Sequence, residues 1–212
     1  MSDPLVKAMI AHCDSVREVI KPATSRRSVG NPPSGHISDG VVKLRLPTVE
    51  DIARLASYGS DQSLLEGIWV SRCGPGVTDP FVWAAQRLAE FDAGWTPHGG
   101  LHGGALVIDE LQPFVGLVYF GPVAPRVVEL SYGIAPPARG RGIATRAVRL
   151  AAEWALNGGG FSRVELRIPQ SHVASRRVAE KTGFRFEERF ETFIEATGDT
   201  AIDVLYTRSR KV

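Results

Sequence analysis

Residues 136–147 read PPARGRGIATRA and place Arg139, Arg141 and Arg146 beside Gly140 and Gly142, just ahead of a helical pattern. A helix start leaves four backbone N–H groups unpaired and carries a partial positive charge, so it is a ready site for phosphate. The two glycines keep side chains out of the turn, the arginines add charge, and Ala144 and Thr145 follow Ile143 with small groups on the first helical turn. That combination suits a pyrophosphate. It is neither the phosphate loop GxxxxGK[ST] nor the dinucleotide pattern GxGxxG, and taken alone it also fits a surface turn with solvated arginines.

Other reactive side chains are scattered. Cys13 and Cys73 are the only cysteines and lie far apart, outside any zinc spacing, so neither a disulfide framework nor a structural metal is expected, and Cys73 in CGPG reads as a turn thiol. His98 and His102 in TPHGGLHGG lack a third partner and read as loop residues rather than metal ligands.

The elements that must position the arginine–glycine turn can be read from periodicity. VVKLRL (41–46) alternates as a half-buried strand, and PTVEDIARLASY carries Thr48 as a helix cap. A second helix is predicted from Pro80 to Phe91, followed by DAGWTPHGGLHGG, whose glycines predict a mobile loop. Strands at 105–109, 114–120 and 126–135 form a meander that runs straight into the turn. Beyond it come a helix over 142–156, a strand at 163–168, a helix over 173–181, and strands near 184–194 and 201–207. The predicted order is β-α-α-β-β-β-α-β-α-β-β, without internal repeat.

Ahead of this domain, Leu5, Val6, Met9, Ile10, Cys13, Val16, Val19 and Ile20 recur at helical intervals and predict an amphipathic helix. Pro22 to Gly40 is rich in Pro, Gly and Ser and reads as a linker, giving an extension over 1–40 and a main domain over 41–212. The helix's apolar stripe calls for a partner surface, its own domain or a second subunit, so a homodimer is one expectation.

Composition narrows the class. The chain has 212 residues, 43% of them hydrophobic, enough for a substantial core. Its 25 basic and 23 acidic side chains nearly cancel to a net charge of +2, so no overall basic field marks a nucleic-acid binder. RNA binding through Arg139, Arg141, Arg146 and Arg149 would want interleaved aromatics, and the helix offers only Trp154. No apolar run reaches the ~20 residues of a membrane span, and no signal-peptide layout opens the chain, so a cytoplasmic location is expected.

Two ordered segments carry a resemblance. Arg139, Gly142 and Ala144 fill the Arg/Gln-x-x-Gly-x-Gly/Ala motif of the GNAT family of acyl-CoA-dependent N-acyltransferases, after a predicted fourth strand. SHVASRRVAEKTGF (171–184) is similar to that family's Asn-x-x-Ser-x-x-Val-x-x-x-x-Gly-Phe segment. The two cover roughly residues 127–190, and the branch most resembled is RimJ/RimL-like. The resemblance implies an α/β (α+β) GNAT fold: a mixed, mostly antiparallel twisted sheet with flanking helices, whose fourth and fifth strands splay apart. It implies acetyl-CoA as acyl donor and no metal. Ile134 and Ala135 would hydrogen-bond the pantetheine amides, and the N–H groups of Arg139, Gly140, Arg141, Gly142, Ile143, Ala144 and Thr145 would hold the pyrophosphate.

Its catalytic residues carry over only in part. Ser175 matches a family serine near the expected sulfur position, where it would protonate the thiolate; a simple cap or helix-face hydroxyl is its other reading. The tyrosine that many members place four residues later is Ala179, and the glutamate some carry at the end of strand five is Arg167. For the base, Glu195 and Glu129 are the candidates, against a solvated loop carboxylate and a cross-strand charge pair respectively. His172 replaces the family asparagine that binds pantetheine and could bind the coenzyme or relay a proton. The implied activity is acetyl transfer to a primary amine, first of all a protein N-terminus, with an aminoglycoside, polyamine or amino acid second. A non-catalytic acyl-CoA-binding sensor is the reading from another class.

Overall fold

The computed structural model of the protein describes residues 32–58, 79–95, 103–194 and 199–210. The amphipathic helix expected over 5–20, Cys13, Cys73, His98, His102 and Glu195 all lie outside the described residues.

Eight strands form one sheet: β1 (His36–Ser38), β2 (Lys43–Arg45), β3 (Gly104–Asp109), β4 (Gly116–Ala124), β5 (Val127–Ile134), β6 (Arg163–Pro169), β7 (Arg185–Ile194) and β8 (Asp199–Ser209). Their spatial order is β1-β2-β3-β4-β5-β6-β8-β7. Among the described residues four helices flank it, α1 (Asp51–Tyr58), α2 (Pro80–Ala93), α3 (Ile143–Asn157) and α4 (Val173–Lys181), with a 3-10 turn over Pro136–Ala138. Every strand pair is antiparallel except β5 with β6, which α3 connects.

Side-chain alternation along the strands divides the core in two. Val128, Leu130 and Ile134 of β5 and Val164, Leu166 and Ile168 of β6 face α3 and pack in one large cluster with Val148 and Phe120. Ala147, Ala151 and Ala155 recur every four residues of α3 with no exposed surface, so one helix stripe of small side chains lies close against the sheet. The opposite face of β3 and β4 carries Ala105, Val107, Leu117 and Tyr119, which bury Leu55, Trp83 and Phe91 of α1 and α2.

Three expectations need correction. The sheet begins at His36 rather than at Val41. Within the stretch read as linker, Ser38–Asp39–Gly40 makes a tight turn: Asp39 Oδ1 accepts from the Val41 and Val42 N–H groups, and Gly40 takes φ 85°. Thr48 does not cap α1 with its hydroxyl. Its N–H and hydroxyl instead donate to Asp51 Oδ2, at 2.8 and 3.3 Å, which is the returning half of a capping box. The glycine-rich stretch after α2 is partly packed: Trp95 is 5% exposed, lies flat against Gly104 where any Cβ would collide with its ring, and donates Nε1–H to Ala105 O. Composition signalled a loop, but a single buried indole fixes its start.

Candidate functional site

The strands expected fourth and fifth are β5 and β6, because β1 adds one strand ahead of them. β5 pairs with β4 through eight residue pairs but with β6 through only three, ending at Glu129 with Glu165. Past that point the two strands part, and each keeps its outer neighbour: β6 stays paired with β8 as far as Pro169. Ala135 N–H bonds to Val115 O on the β4 side, and alternation then turns the backbone groups of Tyr132 and Ile134 toward the gap. Unpaired strand edges in a sheet interior are costly unless a ligand or water meets them. The gap is therefore a cleft that an extended, amide-bearing chain can enter as a strand does.

Of the two residues assigned to pantetheine, Ile134 turns its backbone toward this cleft, with its C=O already accepting from Arg139 Nε. Ala135 does not: its N–H is spent on Val115 and its C=O accepts from Ala138 N–H at 2.9 Å. The 3-10 turn takes the C=O because Pro136 and Pro137 bend the chain immediately after the strand.

At the cleft's end stands the arginine–glycine turn. Gly140 and Gly142 have φ 76° and 78°, left-handed values that other residues adopt at a cost. Gly142 is the N-cap of α3 and supplies no capping side chain, so the N–H groups of the first turn, Ile143, Ala144 and Thr145, have no side-chain cap. The arginines prove to be more than loose charge. Arg139 Nε donates to Ile134 O at 2.9 Å and ties the turn to the strand end; Arg141 pairs with Glu110 at 2.6 Å and Arg146 with Asp39 at 2.7 Å. The β1–β2 turn is thus clamped to α3 by a residue pair far apart in sequence.

On the α3 side, Ser175 sits in the first turn of α4 and His172 is that helix's N-cap, its ring making no cap bond. Instead Ser175 Oγ lies 3.1 Å from His172 Nδ1, so Ser175 is not the cap but a hydroxyl on the helix face, the other form of its plain reading. Tyr132 of β5 also points to this face. Sequence reasoning missed it: within the strand pattern it alternates as a core residue, and only its polar tip, which needs a partner when buried, is a signal. Burial pushes the Tyr132 phenol pKa up, and nearby Ser175 offsets part of that.

The opposite face carries the carboxylates. Glu129 Oε2 lies 3.7 Å from Arg167 Nε, and that guanidinium stands 5.0 Å from the centre of the Phe190 ring. The cross-strand pair expected as the alternative for Glu129 is therefore present, and its cation is the residue that replaces the family glutamate. Asp203, 8% exposed, accepts from Thr192 Oγ1 at 2.9 Å on the neighbouring strands. The arrangement sets hydroxyl and imidazole on one side of an open seam and a carboxylate on the other. Among the described residues, no three His, Cys, Asp or Glu side chains converge on a metal position, and no helix is long and apolar enough to cross a membrane.

Comparison with known proteins agrees with this fold. The Acetyltransferase (GNAT) domain family matches residues 42–185. RimJ of Mycobacterium smegmatis, solved in complex with CoA-disulfide, is 23% identical over 87% of this chain and 90% of its own, with a TM-score of 0.72. A GNAT-family acetyltransferase from Bacillus anthracis is 16% identical over 82% and 98% of the two chains, TM-score 0.67. RimL, a ribosomal-protein alpha-N-acetyltransferase in complex with coenzyme A, is 16% identical over 82% and 97%, TM-score 0.65. No curated protein matches the chain by sequence. Identities this low speak for the fold alone, but the family match spans most of the chain and includes both walls of the cleft: the chain belongs to the GNAT acetyltransferases, enzymes that use acetyl-CoA.

Proposed function

We propose that the protein transfers an acetyl group from acetyl-CoA to a primary amine, with a protein N-terminus as the first acceptor class. The observation that carries this reading is the seam itself. It offers open backbone for pantetheine, an uncapped helix start for the pyrophosphate, a hydroxyl on one face and a carboxylate on the other. Ile134 and Tyr132 would supply the strand-like contacts, and residues 139–145 the phosphate cradle. Acetyl transfer needs a neutral amine and a proton for the departing thiolate. Ser175 Oγ–H gives that proton to sulfur as the C–S bond breaks, while the amine nitrogen forms its bond to the acetyl carbon from the opposite face. The nitrogen's own proton leaves to Glu129, to Glu195, or to water.

The acceptor face favours an N-terminus over a polycation. Three of its described carboxylates pair with arginines, Glu129 with Arg167, and Glu165 and Glu187 with Arg163, which offsets part of the acidic charge that a polycation would need. An α-amine has a reference pKa of about 8 against about 10.4 for lysine, so a modest base suffices to free its lone pair. Similarity to RimJ and RimL supports the same acceptor class. The test is acetyl-CoA turnover, read by mass spectrometry, against short peptides with free α-amines, an aminoglycoside, a polyamine and free amino acids. Preference for the peptides supports the reading; preference for a polycation moves the function to small-molecule acetylation. Binding without turnover on any amine makes the protein an acyl-CoA sensor. A location in the cytoplasm and a homodimer built through residues 5–20 belong to the same proposal, the latter resting on eight apolar positions that need cover.

A further inference from the structure

We propose that Arg167 is a specificity-determining residue of the acceptor site, receiving a carboxylate that the acceptor carries beside its reacting amine. The proposal rests on the reading of the protein as an amine acetyltransferase and narrows the class of amine.

Register sets the position. β5 and β6 last pair at Glu129 with Glu165, and Arg167 is the first β6 side chain beyond that pair on the same face, so it stands where the cleft opens. Val164, Leu166 and Ile168 of the same strand are buried toward α3. Alternation turns Arg167 the other way, to the face opposite the Ser175 helix. With Ser175 at the sulfur, the amine comes in from the Arg167 side.

The way Arg167 is held leaves it available. Arg163, earlier on the same face of β6, donates to Glu165 and to Glu187, each at 2.7 Å. Arg167 instead approaches Glu129 through Nε at 3.7 Å, beyond hydrogen-bond distance, with its side chain 46% exposed. Its guanidinium carbon lies 5.0 Å from the centre of the Phe190 ring, which attracts the cation and restrains it. Among the described residues no hydrogen bond takes up its terminal nitrogens. A guanidinium is a planar fork of N–H donors that fits a carboxylate bidentately, and here the fork is still to be filled.

Glu129 gives the site its polarity. A lone anion would meet repulsion from Glu129 as well as attraction from Arg167. An acceptor that bears an ammonium and a carboxylate side by side presents the reverse of the pair on the protein: ammonium toward Glu129, carboxylate toward Arg167. Asp203, across from Phe190 in the β7–β8 ladder, is buried and accepts from Thr192 Oγ1 within the sheet. Two acceptors carry the required carboxylate, a peptide with an acidic side chain next to its N-terminus and a free amino acid through its α-carboxylate. A polycation has none and brings its remaining charges against Arg167.

The test measures kcat/KM for the full chain with acetyl-CoA and matched acceptors: peptides with Asp, Asn or Lys in second place, and a free amino acid beside its amide. The Asp peptide should exceed the Asn peptide by ~10- to 100-fold, the size of a charge-assisted hydrogen bond, and the Lys peptide should fall below both. In Arg167→Gln the Asp/Asn ratio should collapse toward unity, and Arg167→Lys, which keeps the charge without the fork, should restore part of it. Because the ratio is taken within each variant, any change in the chemical step common to both peptides cancels. An amino acid favoured over its amide, with the peptides undiscriminated, assigns the carboxylate to a small molecule. Ratios near unity for both pairs in the wild type, or a preference that survives Arg167→Gln, overturn the role of Arg167 and leave the transferase reading in place. If no acceptor turns over, that reading fails, and calorimetric binding of the same peptides to the acetyl-CoA-loaded protein decides the carboxylate site: equal affinities for the Asp and Asn peptides, or a difference that survives Arg167→Gln, overturn it too.

Discussion

The two edges of β5 behave differently. Toward β4 it is paired along its length, with a shift only near Pro122; toward β6 it is paired at its start and open thereafter. On the closed side Phe120, Leu117 and Val118 are at or near zero exposure, and a part-buried arginine there meets two carboxylates. Arg45 bonds Asp51 through both terminal nitrogens, at 2.7 and 2.8 Å, and Asp109 through Nε at 2.7 Å. On the open side a phenol has no formed bond and strand amides face a gap. One half of the sheet is built for stability, and the seam keeps unmet polar groups where a substrate can meet them.

Substitutions can break that contrast. The largest effect is expected from Ser175→Ala, which should lower kcat by ~100- to 10,000-fold with little change in the acetyl-CoA KM or in stability. A large loss of stability with kcat intact would erase the distinction between the halves. On the closed side the pattern should invert: Asp51→Ala leaves Arg45 short of a buried partner and should cost about 3 kcal/mol in urea unfolding, with the turnover of folded enzyme preserved. Gly142→Asp puts a side chain at φ 78° and a negative charge at the phosphate cradle, and acetyl-CoA affinity by calorimetry should fall ~100-fold or more. Gly142→Ala separates strain from charge, since it carries only the first. If both variants bind as tightly as wild type, the cradle lies elsewhere.

Smaller effects sharpen the picture. Glu129→Gln should remove the acidic limb of the kcat/KM profile if Glu129 takes the amine proton; a retained limb passes the role to Glu195, tested by Glu195→Gln, or to water. The smallest signature is in acid. Burial pushes the Asp109 carboxyl up, but hydrogen bonds from Arg45 and Phe114 N–H, with the charges of Arg45 and Lys43, outweigh it and hold the pKa below the ordinary value. A carboxylate lowered in this way adds stability that is fully present above its unfolded pKa, about 4, and lost as pH falls through the folded one. The stability gap between wild type and Asp109→Asn should therefore be constant above pH ~5 and narrow below pH ~4. A gap that widens in acid would mean the ion pair is not what holds this corner.

Much of this was legible in the residues. Alternation in VVKLRL, the apolar spacing of α3 and α4 and the glycine pair at 140 and 142 each report a local requirement, and each element is present. The order of strands and helices after residue 41 was also readable, since it follows from where periodicity changes. The β1–β2 turn was missed because a three-residue strand, His36–Ser38, in a Pro- and Gly-rich stretch reads as linker until a neighbouring strand pairs with it. Trp95 was missed for a similar reason: whether an indole in a glycine-rich stretch is exposed depends on what lies across from it, here Gly104 and Phe120.

The sequence by itself determined the parts whose physics is confined to a few consecutive residues: a left-handed glycine at a helix start, the face a helix buries, the strands on either side of α3. Only the tertiary structure decided where β5 and β6 separate, that Ala135 spends its backbone groups inside the protein, that Arg167 lies against Glu129, and that Tyr132, Ser175 and His172 gather at one cleft. Those residues are brought together by strand register and by the crossing of α3 and α4 over the sheet. Register is a sum of packing and pairing over both sheet halves, which no short window of sequence contains.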